Sequence, residues 1–202
     1  MSLAPGVSAG LPKNATGIIS PGSNSYWDLT FSSTAPVPSD IQFNKAYPAW
    51  SLKSPPDFSP ENSYQVYSSL GSLPPGVPIA EWNKINYIIN NKGTYDKYAL
   101  QAAIWHYSGN PVPSDFPSYD REECGKIIAA ADLNGDTFVP TTGQKYAVVL
   151  YTPGKADGGH QLIIIELPFP SIPAPEFPSL ALPVGMVLGL AGSVYFIKGR
   201  RE

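Results

Sequence analysis

Short runs of apolar and polar residues, interrupted by turn-forming residues, occupy most of the chain between residues 15 and 167. The runs are rich in aromatic and β-branched residues, and each is bounded by Pro, Gly or Asn. This pattern predicts β-strands at 25–33, 40–45, 62–70, 145–152 and 160–167. Because only a turn-rich segment separates the last two strands, they are predicted to form an antiparallel hairpin.

Apolar residues recur at helical spacing most clearly in the middle of this region, where Trp82 and Ile85 begin one such series. Helices are predicted at 80–91, at 96–107 and at 119–131, and the last of these opens with acidic residues. Short strands around a block of helices are typical of an α+β fold that is mainly β. We predict an antiparallel β-sandwich or barrel-like domain with a helical insertion.

The longest apolar segment lies near the C-terminus. Residues 180–197 contain no charge and no carboxamide, and a helix of that length spans about 27 Å, close to the hydrocarbon core of a bilayer. Lys198, Arg200 and Arg201 follow it directly. The predicted fold class therefore includes a single C-terminal transmembrane helix, and the positive-inside rule places the basic end in the cytoplasm and the preceding chain outside the cell.

A proline-rich segment precedes that span. Residues 168–178 contain five prolines, which favour an extended stalk over a strand. The stalk ends in a motif formed by Pro175, Glu176, Phe177 and Pro178. The motif, the apolar span and the basic end together resemble the PEF-CTERM sorting signal of archaeal surface proteins. The resemblance implies cleavage by an archaeosortase-like membrane transpeptidase and transfer of the protein to a lipid.

These features divide the chain into four parts. The predicted parts are a flexible N-terminal arm at 1–14, an ectodomain at 15–167, the stalk with its sorting motif at 168–179, and the transmembrane helix with its basic tail at 180–202. The N-terminal residues lack a charged segment followed by an apolar one, so no secretory signal peptide is recognised in them. An export signal upstream of Met1 is expected, in preference to export by an unusual route.

The amino-acid composition and net charge exclude some classes of protein. The 13 basic and 16 acidic residues give a net charge of −3, and basic residues cluster only at the C-terminal end, which excludes a nucleic-acid-binding protein. Aromatic residues make up 12% of the chain, which supplies enough apolar mass for a folded domain. Charged residues reach only 14%, which argues against long surface helices.

Side chains that commonly perform catalysis or bind metals are few. His106 and His160 are the only histidines, and neither belongs to a Ser-His-Asp or zinc-binding pattern. Segment 132–136 is similar to a calcium loop, but its glycine comes one position early and the closing acid is missing, so a turn is predicted. Cys124 is the only cysteine, and its acidic neighbours are expected to raise the pKa of its thiol. We predict a protein that is not an enzyme, with no catalytic residue, no metal site and no cofactor.

The segment around Gln101 is the most informative part of the ectodomain. Ala103, Ile104 and Trp105 belong to a dense apolar helix face, and Gln101 lies at its edge, where its carboxamide needs a hydrogen-bonding partner. This pattern resembles the glutamine motif of the thioester domains of surface adhesins, and the helix at 80–91 resembles a segment that precedes the motif in archaeal sequences. In that family the glutamine is joined covalently to an upstream cysteine.

Position 51 departs from the family pattern. The cysteine of thioester domains follows an aromatic-rich approach, and the corresponding segment 47–52 places Ser51 where the cysteine is expected. A reactive thioester cannot form without that cysteine. The resemblance implies that Ser51 and Gln101 are neighbours, as a degenerate pair of cross-link candidates, because the family's bond joins these two positions.

Two functions follow as expectations. The first is a non-enzymatic archaeal surface protein, anchored to the membrane or to a lipid, that displays a thioester-domain-like module for adhesion or envelope structure and binds an unidentified surface ligand. The alternative is a covalent cross-linking module in which Ser51 and Gln101 form an intramolecular ester or capture an external amine. The expected partners are the membrane and an archaeosortase-like enzyme, and the expected location is the cell surface with the ectodomain outside.

Overall fold

A computed structural model of the chain describes residues 10–35, 40–53, 62–74, 77, 81–152 and 162–170. The first four elements are the strands β1 (Asn14–Pro21), β2 (Trp27–Ala35), β3 (Ala46–Ser51) and β4 (Asn62–Ser68). The helices α1 (Trp82–Asn90), α2 (Lys97–Tyr107) and α3 (Arg121–Asn134) follow. The strands β5 (Lys145–Tyr151) and β6 (Leu162–Pro168) complete the set. All strand pairs are antiparallel, and they close a barrel in the order β1-β2-β3-β6-β5-β4.

Strand β1 closes the barrel because it pairs along both of its edges. Its whole length pairs with β2, and its first four residues also pair with β4. The register of the β1–β2 pair shifts between Thr16 and Gly17, and Gly17 is the last residue of β1 that pairs with β4. Such a bulge bends a strand and increases its twist, and both changes help a sheet to close on itself.

The apolar residues separate into two layers according to the face of the strand on which they lie. One set has members on all six strands, including Phe31, Tyr64 and Tyr146, and fills the barrel. The other set joins the outer face of β3, β5 and β6 to the three helices, with Trp50 and Ile104 fully buried in it. The helices therefore cover only one side of the barrel, and the barrel wall there is buried on both faces.

This double burial explains the sequences of β5 and β6. Residues 146–151 and 162–167 are all buried, and side chains alternate between the barrel interior and the helix layer. A strand with two buried faces reads as a continuous apolar run instead of an alternating one. Glu166 is the single charged residue within these two buried runs.

Two helices begin at aspartates that cap them. The Asp96 carboxylate accepts hydrogen bonds from the backbone N–H groups of Tyr98 and Ala99, and Asp120 does the same for Glu122 and Glu123. An aspartate at this position satisfies N–H groups that lack partners within the helix. The capping residues thus fix where α2 and α3 start.

The fold class predicted from the sequence needs correction. The structure is a closed six-stranded antiparallel barrel with three helices, mainly β, in place of a sandwich or barrel-like domain joined to a transmembrane helix. Within the described residues, no helix has the length and apolar character needed to cross a membrane. The apolar segment predicted to do so, at 180–197, lies outside the described residues.

Individual elements differ less from their predictions. The three helices and the β5–β6 hairpin are confirmed, with ends shifted by a few residues. The strand predicted at 40–45 is wrong: Asn44 has φ of 56° in a turn, and β3 begins only at Ala46. Strand β1 was not predicted, because its two buried positions are the small residues Ala15 and Gly17, which give no apolar signal.

The predicted start of the stalk also lies within the barrel. Pro168 ends β6, and the N–H of Phe169 donates to the carbonyl of Gln144 at 2.7 Å. The Phe169 ring packs against Tyr146 at the end of the barrel core. The described fold therefore continues past residue 167, and the remainder of the predicted stalk from 171 onward lies outside the described residues.

Candidate functional site

The Gln101 carboxamide binds the main chain of Ser51. Its Nε2 donates to the Ser51 carbonyl at 2.7 Å, and the Ser51 N–H donates to its Oε1 at 2.9 Å. Gln101 is 0% exposed and Ser51 is 1% exposed. Both polar ends of the carboxamide are thus satisfied by one residue of the barrel, away from solvent.

The backbone of Ser51 has no strand partner on one edge of β3, so a side chain can bind there. On one edge of β3, Ser51 pairs with Ile163 of β6, but on the other edge β2 reaches only as far as Trp27, which lies opposite Ala49. The N–H and C=O of Ser51 therefore lack a strand partner on that edge. Gln101 takes the place of a strand residue there, because a primary amide carries the same donor and acceptor as a peptide group.

Helix α1 is joined to β5 in the same way, by side-chain carboxamides that bind an unpaired strand edge. Strand β4 ends at Ser68, opposite Val148, so the start of β5 has no strand partner on that edge. The N–H of Ala147 donates to Asn86 Oδ1 at 2.8 Å. Asn90 accepts from the N–H of Lys145 at 2.8 Å and donates to its carbonyl at 2.7 Å. We call Gln101, Asn86 and Asn90 the carboxamide clamps, since each joins a helix to an unpaired stretch of strand.

The Ser51 hydroxyl does not engage Gln101. It donates to the carbonyl of Lys53 at 2.6 Å. Within the described part of the chain, no carboxylate or imidazole is hydrogen-bonded to either side chain of the pair. A serine hydroxyl needs a nearby base to act as a nucleophile, so this arrangement orders the backbone and leaves the hydroxyl unactivated.

The other residues of the glutamine motif lie in the helix layer. Ala103, Ile104 and Trp105 are all fully buried. The Trp105 ring packs edge-on against Phe116, with ring centroids 4.8 Å apart, and against Tyr26 at 6.0 Å. Its indole N–H has no hydrogen-bonding partner among the described residues. Ala103 and Ile104 pack in the layer between the helices and the barrel, and Trp105 packs on Tyr26 and Phe116, so these contacts fix the position of α2 and of Gln101.

A buried ion cluster lies next to Ser51 in the sheet. The Trp50 indole N–H donates to Glu166 Oε1 at 2.8 Å. Lys92 Nζ lies 2.5 Å from the same oxygen, and Lys145 Nζ lies 2.8 Å from Glu166 Oε2. The Glu166 side chain is 0% exposed, and the Lys92 ammonium also lies over the Trp50 ring at 5.5 Å from its centroid. Both carboxylate oxygens are thus bound, by three donors from three different segments of the chain.

Sequence reasoning missed this cluster, although a signal for it exists. Glu166 stands alone in the apolar strand LIIIELP. A carboxylate in a strand buried on both faces must find cations or hydrogen-bond donors, because an uncompensated buried charge is strongly unfavourable. The identity of its partners is not readable from the sequence, since Trp50, Lys92 and Lys145 lie far from it along the chain.

Of the remaining candidate residues, the structure describes His106 and Cys124. His106 is exposed on α2, and His160 lies outside the described residues. Burial raises the pKa of the Cys124 thiol, so the predicted direction is right and the cause is desolvation instead of acidic neighbours. The sorting motif and the basic C-terminal residues also lie outside the described residues.

The segment compared with a calcium loop is held by a lysine. Lys84 Nζ lies 2.8 Å from Glu81, 2.9 Å from Asp132 and 3.2 Å from Asp136. The hydrogen bond from Lys84 lowers the pKa of Asp132, as does a second from the Tyr107 hydroxyl. Asp132 belongs to the last turn of α3 and not to a loop. In the described ranges, no group of three or more His, Cys, Asp or Glu side chains is placed to hold a metal ion.

Fold and site together define a closed antiparallel β-barrel to which helices are joined by side-chain carboxamides. Comparisons with protein-family models, with curated proteins and with solved structures find no match to this chain. The resemblance to thioester domains and to the PEF-CTERM signal therefore stays a prediction from the sequence.

Proposed function

We propose that this chain is a non-enzymatic adhesion or envelope module, displayed at an archaeal cell surface, that binds its ligand without forming a thioester. The proposal combines the family resemblance of the glutamine motif with one structural observation, the Ser51–Gln101 clamp. The sorting motif at 175–178 is its expected route to the surface, through an archaeosortase-like enzyme.

The geometry of the clamp favours a structural role for the glutamine. A reactive acyl group must be reachable by its target, and Gln101 is fully buried. Its oxygen and nitrogen are both hydrogen-bonded to the Ser51 main chain, so an attacking hydroxyl would have to displace that contact. A carboxamide at this position keeps the helix on the barrel, while binding is left to the exposed surface.

The covalent alternative keeps one observation in its favour. Ser51 and Gln101 are direct neighbours, as an ester between them would need. The hydroxyl, however, donates to the Lys53 carbonyl and contacts no base among the described residues. An uncatalysed attack on an amide by a protonated hydroxyl is slow, so we rank this function second.

The intact mass of the full chain separates the two functions. We expect the mass calculated from the sequence, without the loss of about 17 Da that accompanies expulsion of ammonia by a nucleophile. Ser51→Cys is expected to lose about 17 Da, because a thiol is the stronger nucleophile even with a few per cent present as thiolate.

Ser51→Ala is the matched control and is expected to keep its full mass. Cys124 is an internal control, since its buried thiol is present in every variant. A mass deficit of about 17 Da that is present in the parent chain and absent from Ser51→Ala would establish the covalent function in place of the proposed one. Full mass in Ser51→Cys would show that the pair has lost the geometry that thioester formation requires.

Adhesion itself is tested with the folded full chain coupled to beads. Beads are incubated with archaeal envelope fragments, and beads carrying the heat-unfolded chain are the control. We expect several-fold more envelope on the folded chain, all of it released by denaturing detergent because the contacts are non-covalent. Equal retention on both kinds of bead would contradict the adhesion function, and retention that resists detergent would favour cross-linking.

A further inference from the structure

A cavity of about 520 Å³ lies between the β1–β2 turn and the α1–α2 loop. Its walls include Ser23, Asn24, Lys92, Thr94, Tyr95 and Lys97. We call it the lysine cavity. Its volume falls within the range of small-ligand sites, but its wall is mostly polar, whereas sites for drug-like molecules are mostly apolar. Such a wall can hydrogen-bond to a ligand rich in hydroxyl groups.

The lysine cavity carries more cationic than anionic groups. Lys97 Nζ donates to the backbone carbonyl of Gly22 at 2.6 Å and makes no ion pair with a carboxylate of the described residues. Lys92 shares the single carboxylate of Glu166 with Lys145. Asp96, the acidic residue of the wall, points its carboxylate at the N–H groups that begin α2. Lys97 is therefore the lysine of this wall whose ammonium can donate to an external anion.

Aromatic rings continue from the edge of the lysine cavity. The Lys97 ammonium lies over the Tyr98 ring at 5.3 Å, and Tyr98 contacts Tyr26 at 6.1 Å and Phe116 at 5.7 Å. Tyr119 extends the row through Phe116 at 5.8 Å. All four residues are partly exposed. We call these four residues the aromatic ledge. Rings of this kind supply large, rigid contact area to a ligand at low cost in conformational entropy.

We propose that the lysine cavity and the aromatic ledge bind an acidic polysaccharide, one whose sugar units carry carboxylates. Ser23, Asn24 and Thr94 offer hydrogen bonds to sugar hydroxyls, Lys97 offers a charge-assisted hydrogen bond to a sugar carboxylate, and the ledge contacts the apolar faces of further sugar rings. This inference rests on the proposed function, to which it adds the chemical class of the ligand.

A flat anionic surface fits the site less well. The lysine cavity is recessed between a turn and a loop and presents two ammonium groups, one of them already bound to Glu166. Binding to an anionic membrane instead needs several cations on one exposed face. A chain of sugars, in contrast, can place one unit in the cavity and the next on the ledge.

Calorimetry on the full chain tests the site with two chemically matched probes. The first is an oligogalacturonate, and the second is its methyl ester, which has the same sugars without the charges. We expect the acid form to bind at least tenfold more tightly than the ester, because the ester replaces a charged contact by a neutral one. The affinity of the acid form should fall as the salt concentration is raised, because salt screens that charged contact.

Two variants locate the binding. Lys97→Gln is expected to weaken the acid form about tenfold. Because Lys97 also binds Gly22, the exposed Thr94 provides a second variant that leaves this contact intact. Thr94→Glu places a negative charge in the wall, and we expect a loss of tenfold or more. Lys126→Gln and Thr137→Glu, both exposed and outside the lysine cavity, are matched controls that should bind like the parent.

Equal affinity for the acid and the ester would overturn the proposal, as would parent-like binding by both cavity variants. Binding to vesicles of anionic phospholipid, but not to the oligogalacturonate, would also overturn it. If beads retain envelope but the chain binds no oligogalacturonate, the ligand class is wrong and the adhesion function stands. If neither binds, both proposals fail.

Discussion

Gln101→Leu is expected to lower the free energy of unfolding by roughly 3 kcal/mol, enough to remove a large share of the stability of an ordinary domain. Leucine fills a similar volume but offers no partner to the N–H and C=O of Ser51, which is 1% exposed. Leaving a buried polar group unpaired costs about 1–3 kcal/mol, and two such groups result from this change. Urea unfolding of the full chain measures the effect.

His106→Leu is the matched control, because it places the same side chain on the exposed face of α2. We expect it to stay within about 0.5 kcal/mol of the parent. If Gln101→Leu also changed the free energy of unfolding by no more than about 0.5 kcal/mol, the structural role of Gln101 would be contradicted. That result would also remove the main support for a non-reactive glutamine.

Gln101→Glu separates the two hydrogen bonds of the clamp. An ionised glutamate accepts from the Ser51 N–H but repels the Ser51 carbonyl, whereas the protonated acid can donate to that carbonyl. Burial next to a carbonyl raises the pKa of the new carboxyl above its value in the unfolded chain. The variant must therefore recover stability relative to the parent as the pH falls through that raised pKa.

Glu166→Leu is expected to cost about 3–5 kcal/mol, the range for removal of one partner from a buried ion pair. The change leaves the Trp50 indole N–H without its acceptor and Lys92 and Lys145 without their counter-ion. The Lys145 side chain is 46% exposed and can turn to water, but Trp50 is fully buried and cannot. Urea unfolding again gives the size of the loss.

A triple variant, in which Lys92→Met and Lys145→Met are added to Glu166→Leu, tests whether the unpaired lysine charges cause this loss of stability. Replacing a whole buried ion cluster by apolar residues is often neutral, so we expect the two additional changes to recover part of the stability. Two results would show that Glu166 does not stabilise the fold by neutralising the lysines. One is a loss under about 1 kcal/mol in Glu166→Leu, and the other is a triple variant that is less stable than Glu166→Leu.

The Gln101 clamp shows which features of the site can be predicted from the sequence and which cannot. The apolar face of α2 identified Gln101 as a carboxamide that needs a partner, because periodicity alone places it beside buried residues. Its partner proved to be the main chain of Ser51. That choice depends on where β2 begins opposite β3, which no local pattern records. The same reasoning applies to Asn86 and Asn90, whose partners are open stretches of β5.

The wrong and missing predictions have related causes. Strand β1 carries only small residues at its buried positions, so its apolar signal is weak, and without β1 the sheet looks open instead of closed. The polar and aromatic residues before β3 resembled a strand, although Asn44 turns the chain there. The transmembrane helix in the predicted fold class came from the apolar span at 180–197 and the basic residues after it, which lie outside the described residues, and the described helices include none that could cross a membrane.

The sequence by itself determined the helices and the buried C-terminal hairpin of the barrel. The periodicity of 80–91 and 96–107 predicts α1 and α2, and the apolar runs at 145–152 and 160–167 predict a buried hairpin, because these signals come from residues close together along the chain. Only the tertiary structure decided how the barrel closes, which carboxamide meets which open strand edge, and which lysines neutralise Glu166. Those pairings join residues far apart in the chain, and they are selected by packing and by the need to satisfy every buried polar group.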